Sequence, residues 1–202
     1  MQANDRFLKK TFGSYLFPTI FSVLGGTINV FFDGILVGQR LGAEGLAAVN
    51  VCMPIFLLLC TVGSLIGSGA SILSSRELGK GQAEKSRKMY HLSLSLMLIS
   101  GLLFTALGLL ILRPLCLFMS GESGLYPLVR SYVGITIAGA LPKMLLYLPF
   151  YFLRLEGKNR LSMFIMLLMT GLNIVGDWLF LFVLNLGIGG AALASVLSTL
   201  VA

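Results

Sequence analysis

Twice in this sequence an asparagine precedes an aspartate by four residues inside a strongly apolar stretch, at Asn29-Val-Phe-Phe-Asp33 and at Asn173-Ile-Val-Gly-Asp177. A spacing of four puts the amide and the carboxylate on one helical face, where they can serve one site. An ionised carboxylate at membrane depth costs at least a few kcal/mol, so such residues mark ion or substrate paths by default. With low-dielectric walls a carboxylate is a usable proton carrier. Flanked by amide and hydroxyl oxygens, it can instead hold a monovalent cation. Both chemistries couple occupancy of the site to helix conformation, and the residues leave the choice open.

The elements that must position these groups are membrane helices. Hydrophobic residues make up 56% of the 202 and charged residues 11%, with a mean hydropathy of +0.92. Apolar runs predict five complete spans at about 14–38, 46–73, 90–119, 127–153 and 161–184, each longer than the roughly 20 residues a crossing needs. A sixth begins near Gly187 and reaches Ala202 about 16 residues on, too short to cross, so the sequence reads as a fragment of a longer chain. The first apolar segment is too long for a signal peptide and is expected to stay as an anchor. The whole of 1–202 is expected to be one all-α transmembrane unit with short loops.

Charge sets the orientation. Arg6, Lys9 and Lys10 precede the first span; Arg76, Lys80, Lys85, Arg87 and Lys88 separate the second from the third; Arg154, Lys158 and Arg160 separate the fourth from the fifth. Eleven of the 15 basic residues therefore share one side, and the positive-inside rule puts the N-terminus in the cytoplasm. The net charge of +7 is thus a topology signal and not a nucleic-acid footprint. The stretch Ser74–Lys88 is expected to be a solvated amphipathic connector, with acidic membrane lipid as the alternative contact. At about 1.5 Å of rise per residue, Asp33 and Asp177 lie about 19 and about 16 residues from the inner ends of their spans, a similar depth in the outer half.

Other chemistry-bearing residues are few. Cys52, Cys60 and Cys116 have no CxxC or histidine companions and read as small hydrophobes. Lys143 lies within the fourth span beside Pro142; it reaches the interface by snorkelling or neutralises a carboxylate inside the bundle. His91 reads as interfacial. Of Tyr132, Tyr147, Tyr151 and Trp178, only Tyr132 is expected to face a cavity. No Walker A loop, HExxH, GxSxG or cysteine–histidine pairing is present, so no enzyme and no cofactor are expected, and energy must come from an ion gradient or a partner. Pro18, Pro54, Pro142 and Pro149 predict kinked spans, while Gly25-Gly26 and Gly63-x3-Gly67 predict close helix packing. A faint echo links the two acidic sites: Gly45 and Ala47-Ala48 stand at the same offsets from Asp33 as Gly189 and Ala191-Ala192 from Asp177. It implies a repeat-built transporter fold, unless the abundance of glycine and alanine produced it.

Taken in order, several short motifs resemble the multidrug and toxic compound extrusion (MATE) family. They are Pro18 with Asn29-x3-Asp33, then Gly38, Gly42 and Leu46-Ala47-Ala48-Val49, then Leu78-Gly79-Lys80-Gly81 and Phe152-Leu153-Arg154-x2-Gly157. Asn173-x3-Asp177 and Gly189-Gly190-Ala191-Ala192-Leu193-Ala194-Ser195 complete the set. The resemblance implies the six-helix N-terminal lobe of a twelve-helix transporter of the MOP superfamily, the sixth helix truncated and the C-terminal lobe missing. It implies a H+- or Na+-coupled antiporter of the cell membrane that exports drug-like organic cations by alternating access. It further implies that Asp33, Asn173 and Asp177 form a cation site, with Tyr132 and Ser195 where members place further site residues. Na+ would then sit among Asp33, Asn173, Asp177 and Ser195. The sequence departs from some members in having an aromatic stretch around Phe150 where they carry a fourth-helix asparagine. The alternatives are a lipid-linked saccharide flippase, whose basic cavity only Lys143 would supply, and a non-transporting membrane scaffold.

Overall fold

The computed structural model describes residues 2–122 and 124–202, with side chains from Phe12 onward except that of Ser123. The side chains of Arg6, Lys9 and Lys10 lie outside the described residues. Among those described, all regular structure is helical. The first element, α1 (Gln2–Gly79), passes through Pro18 and Pro54 without a break and leaves helical geometry only at Gly42, with φ 67° and ψ −158°. Glycine alone adopts such values without strain. A β-carbon on Gly34 would lie 4.0 Å from Leu46 Cδ1, although residues this far apart in a continuous helix would be about 18 Å apart. The chain therefore folds back at Gly42, and α1 is two arms, not one rod.

The rest of the chain is α2 (Ala83–Leu110), α3 (Leu112–Ser120), α4 (Tyr126–Ala138), α5 (Ala140–Leu145), α6 (Tyr147–Leu155), α7 (Asn159–Trp178), a π-helical turn at Leu179–Val183, and α8 (Ile188–Val201). The stretch expected to be a solvated connector is instead mostly helix. Only Lys80, Gly81 and Gln82 separate α1 from α2. Ser74 is fully buried, and its hydroxyl donates to the Ser86 carbonyl at 3.4 Å. Polarity there signalled exposure of the helix surfaces; the break itself needs only Gly81, at φ 74°.

The fourth span bends as its prolines suggested. α4 meets the α5–α6 segment at 55°. Pro142 falls in the first turn of α5, where its missing N–H has no intrahelical partner to lose. The joint is Gly139, where a β-carbon would come within 2.2 Å of Val196 Cγ2 on α8. Bare backbone there lets α8 lie against the bend.

The internal echo holds in backbone shape with its register corrected by one residue. The outer turn after α7 is Gly187, at φ 61° and ψ −154°, nearly the geometry of Gly42. Gly42 follows Asp33 by nine residues and Gly187 follows Asp177 by ten. The π-helical turn between Asp177 and Gly187 absorbs the extra residue. Aligned this way, Gly45 matches Gly190 and not Gly189. Each packs its bare face on a leucine four residues back, Leu41 in one copy and Leu186 in the other.

One apolar core joins both turns: Val37, Ala48, Val49 and Cys52 from α1 pack with Val133 and Ile137 of α4, Leu181, and Ile188 of α8. Cys52 and Cys116 sit in this core as small apolar groups, and all three cysteines are free. Arg40 fastens the turns together, its Nε donating to the Leu181 carbonyl at 3.1 Å and its Nη2 to Asn185 Oδ1. Replacing Arg40 with alanine removes both, and a part-buried charged hydrogen bond contributes about 1 kcal/mol or more. The expected result is a lower melting temperature for the purified protein, by roughly 2–4 °C per kcal/mol at this size. An unchanged melting curve would show that the turns hold without it.

Candidate functional site

The polar cluster is built where the first arm of α1, α7 and α8 meet. α7 and the first arm of α1 approach closely because the facing residues are small. A β-carbon on Gly25 would lie 3.2 Å from Leu167 Cδ2, and the Thr170 hydroxyl reaches the Gly25 carbonyl at 3.2 Å. On the next side Gly176 faces Ala194 of α8, where a β-carbon would come within 3.0 Å. Small residues at helix crossings allow this approach where the apolar effect gives no drive.

Asn173 is the hub. It is 1% exposed, and its amide orientation follows from its neighbours. Turned one way, its nitrogen meets Ser195 Oγ at 3.2 Å and its oxygen faces only acceptors. Turned the other way, its nitrogen donates to Asn29 Oδ1 at 2.8 Å and to Asp177 Oδ2 at 3.3 Å. Its oxygen then accepts from the Ser195 hydroxyl at 3.2 Å and the Ser195 N–H at 3.1 Å. The second orientation satisfies both the nitrogen and the oxygen of the Asn173 amide, as buried amides require. One side chain thus ties α1, α7 and α8 together.

Asp177, one turn further along α7, is fully buried, and Asp33 on α1 is close enough for its charge to bear on Asp177. Each aspartate keeps one buried oxygen, Oδ1, with no hydrogen-bond partner. A buried carboxylate left this way is strongly disfavoured unless something cationic faces it. Tyr132 on α4 stands within electrostatic reach of both aspartates and packs against the apolar core. The structure therefore brings together Asn29, Asp33, Asn173, Asp177 and Ser195, with Tyr132 beside them. Chemically, an unpartnered carboxylate oxygen is an acceptor open to a proton or to a monovalent ion. Among the described residues no group of three or more histidine, cysteine, aspartate or glutamate side chains could hold a metal ion. The donor set does not suit a transition metal.

A second feature escaped the sequence reading. A cavity of about 300 Å³ opens between both arms of α1 and the helices α5 to α8. Lys143 and Arg154 line it, together with Phe56, Tyr147, Phe150 and Met169. Lys143 Nζ lies 5.2 Å from the centre of the Phe56 ring, and the Arg154 guanidinium carbon lies 4.2 Å from that of Phe150. Of the two roles open to Lys143, the structure shows the inward one: it lines the cavity and its charge reaches Asp33. Arg154, one of the topology-setting charges, thus joins Lys143 as a second basic residue of the cavity. Its spacing of four from Phe150 was the available signal. Gly63 makes room for the cavity wall, since a β-carbon there would meet Tyr147 Cδ2 at 2.7 Å. Trp178, beside Asp177, is 53% exposed and faces away from both features. Tyr151 hydrogen-bonds Ser64 at 2.7 Å.

Comparison with known proteins agrees with this architecture. The MatE family model matches residues 18–179. The chain is 28% identical over 184 residues to the multidrug export protein MepA of Staphylococcus aureus, covering 91% of this chain and 40% of that protein. It is 30% identical over 188 residues to a FAD transporter of Shewanella oneidensis, with the same coverage of each. An outward-facing multidrug resistance MATE family transporter of the MOP superfamily superposes with a TM-score of 0.90 at 31% identity, over 96% of this chain and 43% of that one. The chain spans about 40% of the length of the curated relatives it matches.

Proposed function

Because this chain belongs to the MatE family, whose members here are transporters and not enzymes, we propose that it forms the N-terminal lobe of an ion-coupled antiporter. In this reading the assembled protein moves amphipathic, drug-like compounds across the cell membrane by alternating access, with its N-terminus cytoplasmic. The relatives include a multidrug exporter and a FAD transporter, so their names leave the charge of the cargo undetermined.

The observation that carries the reading is the pair of aspartates, each with one buried oxygen unpartnered, on helices that Asn173 joins. Loading a cation on either aspartate removes the repulsion between them, which favours closer packing of α1 on α7. Unloading restores it. That is the differential interaction with two conformations that coupling requires. A proton is the reading the donors favour. The Asn173 oxygen is already engaged by two donors from Ser195, which leaves chiefly carboxylate oxygens for an ion. Na+ held by Asp33, Asp177, Asn173 and Ser195 is the second reading, and it requires Ser195 to let go of Asn173. A flippase gains some support from Arg154, which joins Lys143 in the cavity. A scaffold without transport leaves both buried acid–amide pairs unexplained.

The test is dye movement in everted membrane vesicles carrying this lobe joined to a C-terminal lobe of the family kind, under a pH gradient or a Na+ gradient. Movement under the pH gradient supports proton coupling, and movement under Na+ alone supports the second reading. No movement under either, from well-inserted protein, rejects the antiporter.

A further inference from the structure

We propose that the cavity between α1, α5 and α6 is a substrate site for a planar aromatic anion. This deepens the transporter reading and rests on it, because it assigns a cargo class to that lobe.

The chemistry of the lining is one-sided. Among the described residues, Lys143 and Arg154 are its two charged groups and no carboxylate lines it. Neither cation forms an ion pair among the described residues. Glu156, the acid nearest Arg154 in sequence, is held by Lys158 at 2.7 Å. The cations rest instead on ring faces, at Phe56 and Phe150. A guanidinium stacked on a ring keeps its N–H edges free, which is the arrangement that grips carboxylate, sulfonate or phosphate groups through two parallel hydrogen bonds. The ring contact also restrains Arg154 in advance, so less freedom is lost when an anion docks.

The remaining wall fits a flat apolar body. Phe56, Tyr147 and Phe150 present ring surface, and Met169 supplies an adaptable thioether side chain. The volume is at the lower end of the range for small-molecule sites, room for one fused-ring compound. Organic cations, the cargo that family resemblance implies, would face two like charges there. The site has no negative group to receive them, because Asp33 and Asp177 are absent from its lining.

The experiment is equilibrium binding to this chain in phosphatidylcholine nanodiscs, read by fluorescence anisotropy with two dyes that share a xanthene core. Fluorescein carries the anion and rhodamine 123 the cation. Fluorescein is expected to bind roughly tenfold or more tightly than rhodamine 123, and Lys143→Met and Arg154→Met are each expected to weaken it roughly tenfold. Lys143→Arg should keep most of the affinity, which separates lost charge from lost folding. Lys88→Gln, a change in an exposed lysine outside the cavity, should leave it unchanged. Rhodamine 123 binding as well as fluorescein, or neither dye binding, overturns the proposal. So does a preference that survives the Lys143→Met, Arg154→Met double variant. Displacement of fluorescein when phosphatidylglycerol is added to the discs would reassign the site to lipid headgroups and also overturn it. Binding at equilibrium needs no gradient, so a failure here and a failure of ion coupling in vesicles are told apart.

Discussion

Asp177→Asn should reduce gradient-driven export to background while the protein still inserts and reaches normal levels. Asp177 is fully buried one turn from Asn173, and the Asn173 amide already donates to its Oδ2. Asparagine is nearly isosteric, and its own oxygen can keep that hydrogen bond, so folding should hold. What is lost is the charge. The amide neither binds a proton nor attracts a monovalent ion, and the repulsion from Asp33 that distinguishes loaded from unloaded states disappears. Asp33 alone would titrate without a partner to push against. Dye movement in everted vesicles measures this, with the amount of inserted protein checked in the same membranes. Normal gradient-dependent export by Asp177→Asn would remove this pair from the coupling mechanism.

The second large effect is on stability. Gly139→Ala is expected to lower the melting temperature of the purified protein by several degrees, at a cost of about 1–3 kcal/mol for overpacking a tight contact. The added methyl would lie 2.2 Å from Val196 Cγ2, 2.8 Å from Cγ1 and 3.0 Å from its Cβ. Valine is branched at Cβ and strongly restricted in χ1 within a helix, so it has no rotamer in which to retreat. The strain must therefore move α8 off the bend between α4 and α5, and Ser195 moves with α8 away from Asn173. Val196→Ala removes the offending methyls. The double variant should recover much of the lost stability, although not all, because a smaller residue leaves its own gap. A double variant no more stable than Gly139→Ala would mean that the joint fails for a reason other than this contact.

The acid–amide pairs were legible because their cost inside an apolar stretch is high, and a spacing of four left little doubt that each pair shares a helix face. Their meeting across α1 and α7 followed from similar depth. Ser195 entered only through family resemblance, since one serine in a small-residue helix carries no signal of its own. Arg154 was hidden for the opposite reason. A charge near the end of a span fits the topology rule so well that its position over Phe150 was not sought. The π-helical turn at Leu179–Val183 left no trace in hydropathy, because one added residue keeps the segment equally apolar while rotating everything beyond it. For that reason the internal echo was read one residue out of register. Pro18 and Pro54 lie in unbroken helix, whereas the turn expected between the spans 14–38 and 46–73 falls at Gly42.

If Asp33 and Asp177 take up the coupling ion, difference infrared spectroscopy of this chain in lipid detects it without transport. Acidification should produce the C=O band of a protonated carboxyl in a dry environment. That band should be absent from the Asp33→Asn, Asp177→Asn double variant and diminished in Asp177→Asn alone. If Na+ competes for the site, adding it at fixed pH should bleach the same band. A spectrum in which neither acid nor Na+ changes any carboxyl signal attributable to these two residues would show that they do not take up the ion.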